Sequence, residues 1–309
     1  MKNSEAQARP LFNKIVLIGV GLIGGSFALA LKKAHVVTQV VGMDRDAASL
    51  SVAKSLGIID SFTDDIADAV SDADLILIAT PVAQTSAILS AIYPYLQAHT
   101  IVTDAGSTKA DVVAAARSSL KEKIAQFVPA HPIAGREKNG PQAAMHDLYV
   151  GKKAVITSLP ENDAASVAKV EQAWRACGAI IHHLSPQEHD QVFASVSHLP
   201  HLLAYALVDD IAAKAHADRL FQYAASGFRD FTRIAGSSPE MWRDISLANR
   251  DAIVQELDSY TLRLGQLWEA LVQADSENLE AMYRRAQEAR LNWIAAIEAA
   301  EAQSKDGGD

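Results

Sequence analysis

Cysteine is nearly missing from this chain. Its 309 residues include one, Cys177, so an internal disulfide framework and a multi-cysteine zinc site are both excluded. Placed before Gly178, Cys177 reads as a small apolar filler. A positive excess is also lacking: 28 Lys and Arg stand against 37 Asp and Glu, a net charge of −9. General attraction to nucleic acid or to anionic membranes is therefore not expected. No uninterrupted apolar run reaches the length of a transmembrane helix. The polar start, residues 1–9, lacks the apolar centre of a signal peptide. These absences lead to the expectation of a cytoplasmic protein with neither a membrane nor a nucleic-acid partner. No internal repeat suggests a solenoid. What is left is 49% hydrophobic and 21% charged, an ordinary globular composition, on a length that allows two domains with large cores.

One stretch organises the rest. Ile15-Val-Leu-Ile18 runs straight into Gly19-Val-Gly21-Leu22-Ile23-Gly24-Gly25-Ser26, and an alanine-rich helical segment follows. An apolar strand turning sharply into a helix through Gly-x-Gly-x-x-Gly fits the dinucleotide fingerprint of a Rossmann unit. Gly19 would permit the tight turn, Gly21 would let a pyrophosphate approach the backbone, and Gly24 would let helix and strand lie close. The helix N-terminus would offer free N–H groups and a positive dipole end to the phosphates. Gly19, Gly21, Leu22, Ile23 and Gly24 are the candidate cofactor contacts in this turn. A second strand, residues 39–43, ends at Asp44. An acidic side chain there accepts from the adenosine ribose hydroxyls and repels a 2′-phosphate, favouring NAD over NADP, although Arg45 beside it could soften that preference. The helix N-cap role that an Asp can fill at this point is compatible with the ribose role.

Apolar strands at 74–79 and 100–104 end at Thr80-Pro81 and Ala105-Gly106-Ser107, with helical spacing between and after them. Strands alternating with helices predict a doubly wound parallel sheet with right-handed crossovers, whose ligands lie at the carboxyl ends of the strands. Thr80, Ser107 and the segment beginning His131-Pro-Ile-Ala-Gly135 fall at that edge. Strands at 153–157 and 179–183 are expected to extend the sheet. His182 and His183, adjacent in the last of them, would face opposite sides and so are structural. From Gln187 strand signals stop and long apolar helical faces take over. The fold expected is α/β: an N-terminal doubly wound Rossmann domain over 1–186, then an all-α helical domain over 187–309 that forms a core and a partner surface.

Ionisable groups inside apolar helices carry the chemistry. Asp190, His198 and His201 lie on one helix that Pro200 disturbs. The histidines are three residues apart, but no third ligand with hydrolytic-zinc spacing is evident, so no metal is expected. Gly227-Phe-Arg-Asp-Phe-Thr-Arg233 sets two arginines among aromatics before Ser237-Ser238-Pro239, where a serine can cap the next helix. An arginine there suits either bidentate carboxylate capture or a salt bridge to a nearby acid.

Five runs taken in order, Gly-Val-Gly-Leu-Ile-Gly-Gly-Ser (19–26), Asp-Ala-Gly-Ser-Thr-Lys (104–109), His-Pro-Ile-Ala-Gly (131–135), Ser-His-Leu-Pro-His (197–201) and Gly-Phe-Arg-Asp-Phe-Thr-Arg (227–233), resemble the prephenate/arogenate dehydrogenase family. The resemblance covers about residues 14–297. It implies oxidative decarboxylation of prephenate to 4-hydroxyphenylpyruvate, or of arogenate to tyrosine, with NAD or NADP, on a Rossmann domain followed by a helical dimerisation domain. It also implies a homodimer. Carried over residue by residue, His131 resembles the catalytic histidine that takes the ring hydroxyl proton. Ser107 resembles the serine that positions this histidine and the nicotinamide. His201 resembles a substrate-binding histidine with Asp190 in its polar network, Arg233 a carboxylate-binding arginine and Trp242 a nearby aromatic. Prephenate is a dianion and the chain is net negative, so attraction has to come from a local cluster, for which Arg233, Arg229, Arg136 and the histidines are candidates. Arg136 departs from the small or hydroxyl residue of many relatives and suits prephenate better than arogenate, whose side chain bears an ammonium.

Three rival readings exist. A dehydrogenase acting on a β-hydroxy acid or imine would place a lysine on the inter-domain helix, where this chain has none before Lys214. A non-catalytic NAD-binding dimeric regulator would have no use for His131, His201 and Arg233 around one cleft. A methyltransferase binding S-adenosylmethionine would share only the first glycines.

Overall fold

Alternate residues of the first strand serve different cores. In the computed structural model, which describes residues 10–136 and 138–306, β1 (Phe12–Ile18) sends Ile15 and Leu17 into one apolar cluster with Phe27 and Trp174. Val16 and Ile18 enter a second cluster, on the other face, with Leu89, Val113 and Phe127. A strand covered on both faces has to be apolar at every position, which is why this run shows no alternation of polarity. The polar start at 1–9 lies outside the described residues.

β2 (Val37–Met43), β3 (Ser61–Phe62), β4 (Leu75–Ile78), β5 (Ile101–Asp104) and β6 (Phe127–Val128) complete a parallel six-stranded sheet in the order β3-β2-β1-β4-β5-β6. Helices α1 (Leu22–Lys33), α2 (Ala47–Ser55), α3 (Ile66–Val70), α4 (Thr85–Ile92) and α5 (Ala110–Leu120) connect them. The order reverses between β1 and β4, opening a crevice at the strands' carboxyl ends. α2 is capped by Asp46, whose side chain accepts from Ala48 and Ser49 N–H, so Asp44 is not the cap.

The expected continuation of the sheet takes another form. β7 (Ala130–Pro132), β8 (Lys153–Ile156) and β9 (Ile180–His183), with α6 (Ala164–Ala176) before the last, make a separate three-stranded sheet in which β7 runs antiparallel to β8. The chain passes from β6 to β7 through Pro129, which has no N–H for a ladder and leaves its carbonyl to Thr157 N, 3.0 Å away. His183 pairs with Glu171 at 3.2 Å, a structural contact.

Helices then follow. Ser185 and Glu188 form a capping box on α7 (Pro186–Phe193). A π turn, Ala194–His198, leads into α8 (Leu199–Ala212), and there the Leu199 N–H bonds the Ala194 carbonyl five residues back. Pro200 has no N–H to offer the turn before it, and the wider winding absorbs that lost bond. Two short helices that the sequence reading did not anticipate, α9 (Ala217–Gln222) and α10 (Ser226–Thr232), precede α11 (Pro239–Ala248), which Ser238 caps. The helical run from Pro239 breaks at Asn249, so α12 (Arg250–Val272) is separate from α11, and α13 (Ser276–Asp306) ends the described chain. The stretch Pro186–Ala212, 27 residues long, contains an 18-residue window of mean hydropathy 1.2 and is long and apolar enough to cross a membrane by length and composition. Its polar residues His189, Asp190 and His198 are buried in protein.

The chain divides into two compact units, Met1–Ile253 and Val254–Asp309. The first reaches well past residue 186, because α7 and Asn249 are tied to the α5 end of the sheet by the hydrogen bonds described next.

Candidate active site

The sharp turn after β1 needs glycine. Gly19 has φ +97, and a Cβ there would meet the Ala79 carbonyl oxygen at 2.6 Å, while one on Gly24 would meet the Gly19 carbonyl oxygen at 2.3 Å. Gly21 differs, because a Cβ on it would enter open space. It stands at the N-cap of α1 with no side chain capping the helix. The first N–H groups of α1 therefore face outward, as an anion site requires. A cleft of about 500 Å³ lies over this turn, lined by Gly19, Gly21, Asp44, Arg45, Thr80 and Pro81 among others. Asp44 is held in place by Val20 N–H at 3.1 Å on one oxygen and Asp46 N–H at 3.0 Å on the other. A carboxylate has about four acceptor positions, so capacity remains for a ribose.

Ala79, Thr80 and Pro81 also line a second cleft with Ile23, Gly106, Ser107, Asn139 and Met241. Thr80 Oγ1 is buried there with no hydrogen-bond partner among the described residues. Met241 in turn borders a third cleft of about 430 Å³, whose walls include His131, Arg136, His201, Arg233 and Trp242. Ala79, Thr80 and Pro81 are shared by the first two clefts and Met241 by the last two, so we read the three as one trough that starts at the carboxyl edge of the sheet. Leu22 and Gly24 are placed differently from the other turn residues: both are buried, Leu22 in the apolar core and Gly24 against Gly19.

His131 sits on β7, and its Nδ1 lies 2.8 Å from His189 Nε2. His189 Nδ1 lies 2.8 Å from Asp190 Oδ1. Asp190 closes the N-terminus of α5, taking Lys109 N–H on Oδ1 and Ala110 N–H on Oδ2, each at 2.8 Å. Burial alone would raise the Asp190 carboxyl, but the bonds from His189, Ala110 and Lys109 outweigh it and hold it below the ordinary range. Lys109 is fully buried, paired with Asp104 and bonded to the Ala130 carbonyl at 2.9 Å. Asp104 also takes Ala130 N–H at 3.1 Å, so this ion pair fixes the strand on which His131 stands. Burial lowers the His131 pKa well below the usual histidine value, and His189, Lys109 and His198 lower it further.

His201 stacks on Trp242 with ring centroids 3.7 Å apart, and its Nδ1 is 2.8 Å from the Ser197 carbonyl. Burial and the neighbouring charge of Arg233 lower its pKa. The expected link between His201 and Asp190 is not made, because Asp190 serves His189 and α5 instead. His198 lies away from the cleft, 1% exposed, with Nδ1 accepting from Asn249 at 3.1 Å, and burial lowers its pKa to about 4. The hydrogen bond from His131 goes to His189 rather than to Ser107, which borders the adjoining cleft. Arg136 and Arg233 line the substrate-sized cleft, whereas Arg229 is exposed beside Asp230 and does not. Sequence reasoning singled out Asp190 but missed His189 next to it. The available signal was a second ionisable group, four residues before Phe193 and on the same helical face.

The family described as prephenate dehydrogenase, nucleotide-binding domain, matches residues 27–183, and the prephenate dehydrogenase dimerization domain matches 185–285. The chain is similar to the cyclohexadienyl dehydrogenase of Zymomonas mobilis, 35% identical over 91% of this chain and 96% of that one. It is 37% identical to the prephenate dehydrogenase of Bacillus subtilis over 89% of this chain and 75% of its relative. Among solved structures, the prephenate dehydrogenase of Aquifex aeolicus, in complex with hydroxyphenyl propionate and NAD+, gives a TM-score of 0.83 at 35% identity, covering 92% of this chain and 98% of that one. The arogenate dehydrogenase of Synechocystis gives 0.76 at 27% identity, with 91% and 99% covered. With both of its domains matched and relatives of this similarity along nearly all of its length, the chain belongs to the prephenate dehydrogenase family.

Proposed function

We propose that this protein oxidatively decarboxylates prephenate to 4-hydroxyphenylpyruvate with NAD. One observation carries the reading: a trough running from an uncapped helix N-terminus beside Asp44 to a buried-based histidine, His131, facing Arg136 and Arg233. The glycine turn fits a dinucleotide. Gly21 would admit the pyrophosphate to the α1 N–H groups, Asp44 would take the ribose hydroxyls, and the unpartnered Thr80 hydroxyl and Ser107 would border the nicotinamide end. When bound, the nicotinamide supplies the hydride acceptor.

The chain's residues do the rest. Arg233 and Arg136 bind the substrate carboxylates, and Trp242, braced by His201, packs on the ring. His131 receives the C4 hydroxyl proton on Nε2, the nitrogen not engaged by His189, as hydride leaves C4. Loss of CO2 from C1 sends its electron pair through the ring to the C4 oxygen, which recovers the proton, so atoms and charge balance. Aromatisation drives the step, and the protein's main tasks are orientation and keeping His131 neutral.

Arg136 supports prephenate over arogenate, since a cation there disfavours an ammonium, and Asp44 supports NAD over NADP. The relatives named cyclohexadienyl and arogenate dehydrogenase keep arogenate as the second reading. Initial rates of reduced-nucleotide formation with prephenate and arogenate, each with NAD and NADP, test both choices; higher kcat/KM with arogenate or NADP would overturn the corresponding one. We further propose that the helical part makes a homodimer. Leu262, Trp268 and Trp293, large apolar side chains on α12 and α13, are 66%, 65% and 57% exposed in the single chain, which suits a partner surface. A monomer by light scattering would refute the dimer.

A further inference from the structure

We propose that His189 and Asp190 are a positioning pair that fixes His131 in its Nδ1–H tautomer and leaves Nε2 unprotonated for the reaction. This rests on the reading of His131 as the base, and it adds residues that reach no cleft themselves. His189 is fully buried and Asp190 is 5% exposed.

Hydrogen-bond accounting along the chain allows one solution. Asp190 caps α5, where two backbone N–H groups and the positive end of the helix keep it ionised. A carboxylate only accepts, so His189 Nδ1 must donate to it. Burial lowers the His189 pKa despite the carboxylate beside it, so the ring is neutral and its Nε2 carries a lone pair. The group facing that lone pair at 2.8 Å is His131 Nδ1, which must therefore be the donor. Nε2 of His131 is then the basic nitrogen. Phe193 packs on both rings, with centroids 5.0 Å from His131 and 4.5 Å from His189, and holds the pair in register. Asn249 sets the height of α7 by donating to the Asp190 carbonyl at 2.8 Å.

His198 takes the opposite tautomer and His201 the same one, which makes the assignment testable within one molecule. Because a carbonyl only accepts, Asn249 presents its Nδ2, so the His198 Nδ1 facing that amide is the acceptor and its Nε2 bears the proton. His201 donates from Nδ1 to the Ser197 carbonyl.

Two-bond nitrogen–proton correlation spectra of full-length, nitrogen-15-labelled protein read each tautomer without substrate. The expected result is Nδ1–H for His131 and His201 and Nε2–H for His198. His189→Gln, whose amide can accept from His131 and donate to Asp190, should keep the His131 tautomer and near-native kcat. His189→Leu should turn His131 to Nε2–H and lower kcat roughly 10- to 100-fold with KM little changed. An Nε2–H His131 in the wild type overturns the proposal, as does a His189→Leu protein with unaltered tautomer and kcat. If His189→Leu does not fold, the wild-type and His189→Gln spectra still decide it. Absence of turnover by the wild type with either substrate would instead sink the functional reading and leave the tautomer result standing.

Discussion

At the glycine end of the trough the surfaces offered to a ligand are mostly main chain: the turn at Gly19, the open face of Gly21 and the uncapped first turn of α1. At the histidine end they are side chains drawn from β7, α7, α8, the segment after α10, and α11, and each is held by a neighbour. The first kind of site depends on backbones coming closer than any Cβ allows. The second depends on proton positions, and these rest on a buried network of Asp104, Lys109, Asp190 and His189. Substitutions should therefore fail differently at the two ends, through geometry at one and protonation at the other.

The largest effect should come from His131. His131→Asn keeps a polar side chain of similar reach but removes the base, and kcat is expected to fall roughly 10²–10⁴-fold, the usual range for a general base. The affinity for the dinucleotide, measured by titration, should be unchanged. Wild-type turnover would remove His131 from the mechanism.

Gly24→Ala attacks the other end. The new methyl would stand 2.3 Å from the Gly19 carbonyl oxygen and 2.7 Å from Leu17 Cδ1, and neither the backbone nor the buried leucine has room to move. A cost of about 1–3 kcal/mol in stability is expected, seen as a lower Tm, with weaker dinucleotide binding because α1 is pushed off β1. A fully stable protein with intact dinucleotide affinity would show that the close approach is not needed.

These two residues also differ in how plainly the sequence announces them. The glycine turn is legible because all its parts lie within eight consecutive residues, and Gly19 and Gly24 answer local steric demands. β1, β2, β4 and β5, Asp44 at the end of β2 and the Ser238 cap are legible for the same reason. The network behind His131 joins residues 104 and 109, residue 131, residues 189 and 190, and residue 249, and nothing in the sequence links one of these places to the next. Positions such as Asp190 stand out in the sequence but their connections do not, which is why a link from Asp190 to His201 is expected there while the structure gives Asp190 to His189 and α5. Adjacent residues on a helix point about 100° apart, yet both reach buried partners because α7 is wedged between β7 and the α5 terminus. The second sheet was misread as a continuation because a strand's partner and direction are not written in its composition. What was missed in α9 and α10 follows from their shortness, since helices of one or two turns leave little periodicity to read.

Arg233 should show a smaller effect, and of another kind. It lines the cleft near His201, whose proton affinity it lowers. Arg233→Ala should raise KM for prephenate at least tenfold, about 1.4 kcal/mol, with kcat much less affected, because a carboxylate anchor acts on ground state and transition state alike. An unchanged KM would leave the carboxylate to Arg136.

The mildest test is pH, and it sets the two ends directly against each other. His131 must be neutral to take a proton. Burial first, then the proximity of His189, Lys109 and His198, lowers its pKa well below 6.5. Because a base with a depressed pKa stays deprotonated until the pH falls through that lower value, kcat/KM, which reports the free enzyme, should hold steady down to about pH 6.5 and decline only below it. His201, also lowered, does not bring the limb back toward neutrality. The cleft over the glycine turn has no histidine among its lining residues, so the Kd for the dinucleotide should stay flat across about pH 5.5–8, where histidine is the side chain that ordinarily titrates. An acid limb centred at or above pH 6.5 would contradict the depressed pKa of His131. A dinucleotide affinity that fell together with kcat/KM would show that the two ends do not depend on different physics.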